Sequence, residues 1–68
     1  MEGYRLVLAS SSGQRDGMAL ELQTADREQV ADVFEDDATG KRSVRFYTQD
    51  DVPLEAVEWL LRSARERL

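Results

Sequence analysis

Residues 51–68 of the chain are DVPLEAVEWLLRSARERL, the segment whose secondary structure follows most directly from its sequence. Pro53 suits the first turn of a helix because that turn does not need its missing N–H, and Asp50 and Asp51 can cap the free amides or interact with the positive end of the helix dipole. The following apolar residues recur every three or four positions, which is typical of an amphipathic helix. They are Leu54, Val57, Leu61, Ala64 and Leu68, with Leu60 beside them. This stripe must be covered by the rest of the chain.

Trp59 falls almost opposite that stripe at 100° per residue. Either a loop covers the indole, or one large apolar side chain is simply exposed, or the indole contacts a second subunit or partner. Burying roughly 100 Å² of indole contributes about 2.5 kcal/mol, whereas association costs about 4–15 kcal/mol. Trp59 therefore cannot hold a dimer together alone. The candidate interaction residues are Val52, Ala56, Trp59 and Ser63 on the helix side, together with Tyr47.

Length and composition narrow the possible classes of protein. The 68 residues predict one domain, 1–68, with a small core. Cysteine and histidine are absent, which excludes disulfides, the usual zinc ligands and the usual neutral-pH base. No apolar run approaches the roughly 20 residues that cross a bilayer, and no signal segment is apparent. We expect no membrane association and a cytoplasmic location.

The chain is acidic, with 9 Lys and Arg against 14 Asp and Glu and a net charge of −5. This charge opposes binding to nucleic acid phosphates, so no nucleic acid partner is expected. Six acids are concentrated between residues 26 and 37, and they form a candidate acidic patch for a basic protein partner. The patch consists of Asp26, Glu28, Asp32, Glu35, Asp36 and Asp37.

Strand patterns occupy most of the chain before the helix. Residues 4–9, 18–23 and 42–48 have strand composition or alternate between apolar and polar side chains. Residues 29–35 fit a strand, or a helix capped by Thr24, but the hairpin residues at 36–41 require strands on both sides and favour the first. The loop at 10–17 is predicted to be a plain connection, with anion binding as the alternative.

These elements predict an α+β fold, an antiparallel four-stranded β-meander with one C-terminal amphipathic helix packed on one face (ββββα). The other sheet face is left without a helix, so either it is mixed and solvated or another subunit covers it. Together with the small core and Trp59, this face suggests a homodimer. The predicted core consists of Leu6, Leu8, Met18, Leu20, Leu22, Val33 or Phe34, Val44, Phe46, Leu54, Val57, Leu60, Leu61 and Ala64.

No enzyme, cofactor or metal site is expected. Ser10, Ser11 and Ser12 have no histidine to activate them, so no nucleophile and base can be paired. Adjacent loops could bring Asp36 and Asp37 near Asp50 and Asp51 as a cation site, but turn and cap roles already explain these four residues.

Two motifs resemble a group of short bacterial proteins of unassigned function. They are Asp36-Asp37-x-Thr39-Gly40 and Val52-Pro53-Leu54-Glu55-x-x-Glu58-Trp59-Leu60-Leu61. Because the motifs are turn and helix-start signals, the resemblance implies a bacterial origin and transfers no functional residue.

The sequence thus leaves two hypotheses of different classes. The first is a self-associating protein-interaction module that works through Trp59 and the open sheet face. The alternative is an acidic inhibitor or antitoxin-like protein whose 26–37 segment binds a basic partner, with electrostatic steering of association.

Overall fold

Four antiparallel strands precede one helix in the computed structural model, which describes residues 2–11 and 16–68. The strands are β1 (Tyr4–Ser11), β2 (Gly17–Thr24), β3 (Gln29–Asp36) and β4 (Arg42–Phe46), and the helix α1 spans Leu54–Arg67. The strands form one sheet in the order β1-β2-β3-β4. The predicted α+β class, the ββββα order and the meander are confirmed. The connection predicted at 10–17, with anion binding as its alternative, is too long at both ends, because Ser10 and Ser11 belong to β1 and Gly17 to β2. Residues 12–15, on which that alternative also depends, lie outside the described residues.

Two turns explain why β3 is a strand and not a helix. At its start, the Thr24 hydroxyl accepts a hydrogen bond from Glu28 N–H at 3.1 Å, so Thr24 stabilises a turn and does not cap a helix. At its end, Asp36 Oδ1 accepts from Ala38 N–H at 2.8 Å, and Gly40 adopts a φ of 72°. A left-handed residue after such a turn reverses the chain and pairs β3 with β4.

The helix begins without the predicted aspartate caps. Pro53 is the N-cap residue, and its carbonyl accepts from Ala56 N–H at 3.0 Å, while no side chain caps the helix among the described residues. Asp50 N–H instead donates to Thr48 Oγ1 at 3.0 Å. The prediction that Asp50 and Asp51 cap the helix is wrong, because the extended Pro53 (ψ 133°) separates them from the first turn.

The helix packs through a different face from the predicted one. Ala56, Leu60 and Ala64 are buried, and α1 contacts β2 and β3. At 100° per residue this line lies about 80° from the centre of the predicted leucine stripe. The two alanines let the helix approach the sheet closely, and the rotation brings Trp59 partly into the core. Because the helix is rotated in this way, Leu54 is 72% exposed.

The core therefore differs from the predicted one, because some predicted core residues are exposed and some buried residues were not predicted. Leu8, Val44, Phe46, Leu54 and Leu61 are exposed and were wrongly placed inside. The buried residues that the predicted core left out include Ala19, Val30, Ala31, Ala56 and Asp32. Val33 and Phe34 are both buried, although as strand neighbours they lie on opposite faces of the sheet. None of the helices among residues 2–11 and 16–68 is both long and apolar enough to span a membrane.

Candidate functional site

Large apolar side chains are exposed together on the β4 side of the helix. Val44 and Phe46 lie on the helix face of β4, because Val44 pairs with core residue Val33 and Phe46 pairs with Ala31. Their side chains are 42% and 54% exposed. Leu61 is 40% exposed, and Leu54 lies two helical turns before it on the same side of α1. We call Val44, Phe46, Leu54 and Leu61 the β4 surface.

A groove between α1 and β4 occupies the middle of this surface. It has a volume of about 200 Å³, and its floor and walls are mostly apolar. The lining residues are Val33, Arg42, Ser43, Val44, Leu61, Ala64 and Arg65. The groove exists because the rotated helix lies over β2 and β3 and leaves β4 without a cover. An apolar floor with a basic rim suits a protein surface better than a charged small molecule.

The backbone of β4 is available for pairing along its outer side. Within the described sheet β4 is an edge strand. Asp36 N–H donates to Lys41 O at 2.9 Å, and Tyr47 N–H donates to Val30 O at 2.8 Å. The backbone groups of residues 41 and 47 therefore point toward β3. Because these directions alternate along an antiparallel strand, the N–H and C=O groups of residues 42, 44 and 46 point outward. The β4 surface thus adjoins an open strand edge.

Two cross-strand ion pairs hold β4 against β3. Arg42 Nε donates to Glu35 Oε2 at 2.7 Å on the helix face, where both side chains are partly exposed. On the opposite face Arg45 Nε and Nη2 donate to the two carboxylate oxygens of Asp32 at 2.9 and 2.7 Å. In both pairs a basic residue of β4 faces an acidic residue of β3. They fix the strand from which the apolar side chains project.

Asp32 is the one buried charged side chain in the described part of the chain, at 1% exposure. Besides the bidentate Arg45 contact, its Oδ2 accepts from the Tyr47 hydroxyl at 3.0 Å. The Arg45 guanidinium also lies over the Phe34 ring, 4.6 Å from its centroid. The hydrogen bond to Asp32 raises the pKa of Arg45 above its ordinary value. This cluster covers Phe34 on the sheet face that has no helix.

Because of this cluster, the stability of the folded chain depends on pH in the alkaline range. Burial, followed by the hydrogen bond to Asp32, raises the pKa of Tyr47. The unfolded chain loses this proton near pH 10, whereas the folded chain retains it to higher pH. The contribution of Tyr47 to stability is therefore complete below pH 10 and is lost as the pH rises further. We expect urea midpoints measured from pH 8 to 11.5 to fall less steeply for Tyr47→Phe than for the native chain, and equal slopes would contradict this assignment.

A second hollow, of about 260 Å³, lies between the β2–β3 turn and the residues that precede α1. Its lining is largely polar and includes Glu28, Asp50 and Asp51, together with Tyr47 and Val52. Across residues 2–11 and 16–68, no three carboxylates are grouped closely enough to hold a metal ion. We assign no ligand to this hollow.

Comparison with family models, curated proteins and solved structures finds no match. The function must therefore be argued from the surfaces of this chain itself.

The candidate interaction residues do not form one surface. Trp59 and Val52 pack, partly buried, against the core, and Ala56 is completely buried. Ser63 is partly buried on α1, whereas Tyr47 is bonded to Asp32 on the opposite face of the sheet. Their role in an interface stays a prediction, but they cannot all contact one partner through a common patch.

The candidate acidic patch is also divided. Asp32 is buried in its ion pair, Glu35 binds Arg42, and Asp36 accepts turn amides. The exposed acids Asp26 and Glu28 lie before β3, whereas Asp37 follows it. Eight strand residues separate these two ends by about 26 Å. Sequence proximity therefore did not translate into one charged surface.

The sequence does not reveal the β4 surface, because the same apolar residues fit the pattern of a buried strand and of the leucine stripe. The sequence feature that indicates the packed face of the helix is the spacing Ala56, Leu60, Ala64, in which one small residue lies a turn before the leucine and another a turn after it. Such a line allows close contact between helix and sheet, and it competes with the leucine stripe for the packed face.

Proposed function

We propose that the chain is a non-enzymatic protein-interaction module that self-associates through the β4 surface to form a homodimer. The observation that supports this proposal is the combination of Val44, Phe46, Leu54 and Leu61, all exposed, with the open edge of β4. Exposed apolar side chains next to unpaired strand groups favour association with another chain. The cytoplasmic location and the bacterial origin expected from the sequence stay predictions.

The free energies involved suggest a dimer that dissociates on dilution. Eight partly exposed side chains from two copies contribute roughly 1 kcal/mol each when they become buried, and edge hydrogen bonds add to this. Association costs about 4–15 kcal/mol. With an association cost near the low end of that range, the net gain is about 4 kcal/mol or slightly more, which corresponds to a dissociation constant at or below about 1 mM. We therefore expect a monomer–dimer equilibrium between micromolar and millimolar concentrations.

A binding role is better supported than catalysis. The chain has neither histidine nor cysteine, and its buried carboxylate, Asp32, already binds Arg45 and Tyr47. The alternative of an acidic inhibitor is less well supported, because the acids between residues 26 and 37 are divided between ion pairs and opposite ends of β3.

The Val44→Glu variant tests the proposal. Two carboxylates would enter the apolar interface, so we expect the dissociation constant to rise at least about 100-fold. Sedimentation equilibrium from micromolar to millimolar concentration measures it, and circular dichroism checks that the variant folds. Leu8→Glu is the matched control, because Leu8 is 39% exposed on the opposite edge strand and should leave the dimer intact. A native chain that stays monomeric up to millimolar concentration would refute self-association.

A further inference from the structure

We propose that two copies join by an antiparallel pairing of β4 with β4 centred on Val44, which makes one continuous eight-stranded sheet. This inference rests on the proposed function and adds to it the geometry of the dimer. It follows from the direction of the edge groups, the length of β4 and the positions of its charges.

The outward direction of residues 42, 44 and 46 limits the possible registers. In an antiparallel pair, the N–H and C=O groups of both strands must point toward each other at the same positions. A two-fold axis that passes between two residues would place outward groups opposite inward ones, so the axis must pass through a residue. The register centred on Val44 is the one that pairs all five residues of Arg42–Phe46 with strand residues of the second copy.

The charges on β4 favour the same register. Centring the pair on Arg42 or on Arg45 would place two identical guanidinium groups opposite each other. Centring it on Ser43 would place Lys41 opposite Arg45 of the second copy. Like charges directly opposite each other destabilise a strand pair, and all three of these registers contain such a contact.

The register centred on Val44 places each cation opposite an uncharged residue. Arg42 lies opposite Phe46 of the second copy, Lys41 opposite its Tyr47, and Arg45 opposite its Ser43, while the two Val44 side chains meet at the axis. A cation beside an aromatic ring is favourable. Arg42 is already held in position by Glu35 at 2.7 Å, so little mobility is lost when it meets the ring.

The same arrangement places the exposed apolar residues of the helix face around one shared channel. Both copies present residue 44 on that face, so both helices lie on the same side of the joined sheet. Each helix lies over β2 and β3, so the two axes are separated by roughly four strand spacings, or about 19 Å. Helices touch at 8–10 Å. The two α1–β4 grooves therefore merge into one channel, which the side chains of Phe46 and Arg42 from both copies fill.

Single-cysteine variants test this register directly, because the chain has no cysteine of its own. Val44 faces its symmetry mate in a hydrogen-bonded pair with Cα atoms about 5.5 Å apart, which a disulfide can bridge. We expect Val44→Cys to form an intermolecular disulfide under mild oxidation at millimolar concentration. Leu8→Cys, on the opposite edge, is the matched control and should remain largely reduced.

A mixture of two variants provides an independent test that does not alter Val44. In the proposed register, the two copies of residue 42 are about 13 Å apart along the ladder, and so are those of residue 46. Arg42→Cys and Phe46→Cys should each stay uncrosslinked alone, but an equimolar mixture should give the disulfide-linked heterodimer in mass spectrometry.

The outcomes separate the register from self-association. Suppose that the native chain sediments as a dimer. The proposed register is then overturned, and self-association stands, if Phe46→Cys or Leu8→Cys crosslinks by itself. The same holds if neither Val44→Cys nor the mixture crosslinks. If the native chain is monomeric at millimolar concentration, both proposals fail. Crosslinking of Val44→Cys and of the mixture, with the two single variants and Leu8→Cys unlinked, is the expected result.

Discussion

The Asp32→Asn variant is expected to lose about 2–3 kcal/mol of unfolding free energy. Removing one partner of a buried ion pair costs about 3–5 kcal/mol, but the Arg45 side chain is 38% exposed and water can solvate part of its charge. If the asparagine amide nitrogen takes the place of Oδ2, it would also present a donor to Arg45 Nη2, which cannot accept, and would require the Tyr47 hydroxyl to accept instead of donate. A domain of this size has about 3–5 kcal/mol of net stability, so most of it would be lost.

Urea and thermal unfolding followed by circular dichroism measure this effect. We expect the Tm to fall by about 10–20 °C, since 1 kcal/mol corresponds to about 4–8 °C in a domain of this length. Glu35→Gln is the matched control, because Glu35 lies on the same strand and also pairs with a β4 arginine, but in an exposed position. Exposed pairs contribute about 0–1 kcal/mol. If both variants lose the same stability, burial of Asp32 does not have the role assigned to it.

The Gly17→Ala variant is expected to lose about 2–3 kcal/mol through overpacking. Gly17 begins β2 between two paired strands, opposite Ser11 and Asp36. A Cβ atom there would lie 2.7 Å from Phe34 Cζ and would overlap the backbone oxygen of Glu35. The backbone oxygen cannot move without breaking the β2–β3 register, so a rearranged side chain cannot remove the whole cost.

Gly40→Ala separates crowding from backbone strain. Gly40 has a φ of 72° with nothing within 4 Å of the added Cβ, so its cost comes from the left-handed conformation alone, about 1–2 kcal/mol. Measured against Phe34→Leu alone, Gly17→Ala should cost less than it does in the native chain but still more than zero, because the Glu35 oxygen remains. No cost in the Phe34→Leu background, or a Gly17→Ala variant as stable as the native chain, would show that the sheet relaxes at this position.

The strands and their order could be predicted because their signals are local. Alternation in residues 18–23 and the turn chemistry of Asp36 to Gly40 depend on neighbours in sequence, and the structure confirms both. The packed face of the helix depends on the shape of the sheet beneath it. The leucine stripe and the Ala56, Leu60, Ala64 line overlap, and only three-dimensional packing distinguishes them.

The candidate site was less predictable for the same reason. Asp32 belongs to an acidic run in sequence, yet it becomes buried because Arg45 and Tyr47 reach it from the neighbouring strand. Asp32 contacts residues that follow it by 13 and 15 positions, and contacts over such a separation are not visible in the local sequence pattern. The exposure of Val44 and Phe46 likewise follows from the helix position, which lies about 80° from the orientation that the leucine stripe predicts.

The meander order has a consequence for how the chain folds. Each strand meets the strand that precedes it along the backbone, so the sheet can grow by successive hairpin closures over short loops. Such topologies have low contact order for a β-rich protein and favour rapid folding. The contact of α1 with β2 closes a much longer loop, so the entropic cost of tertiary closure is concentrated in the docking of the helix.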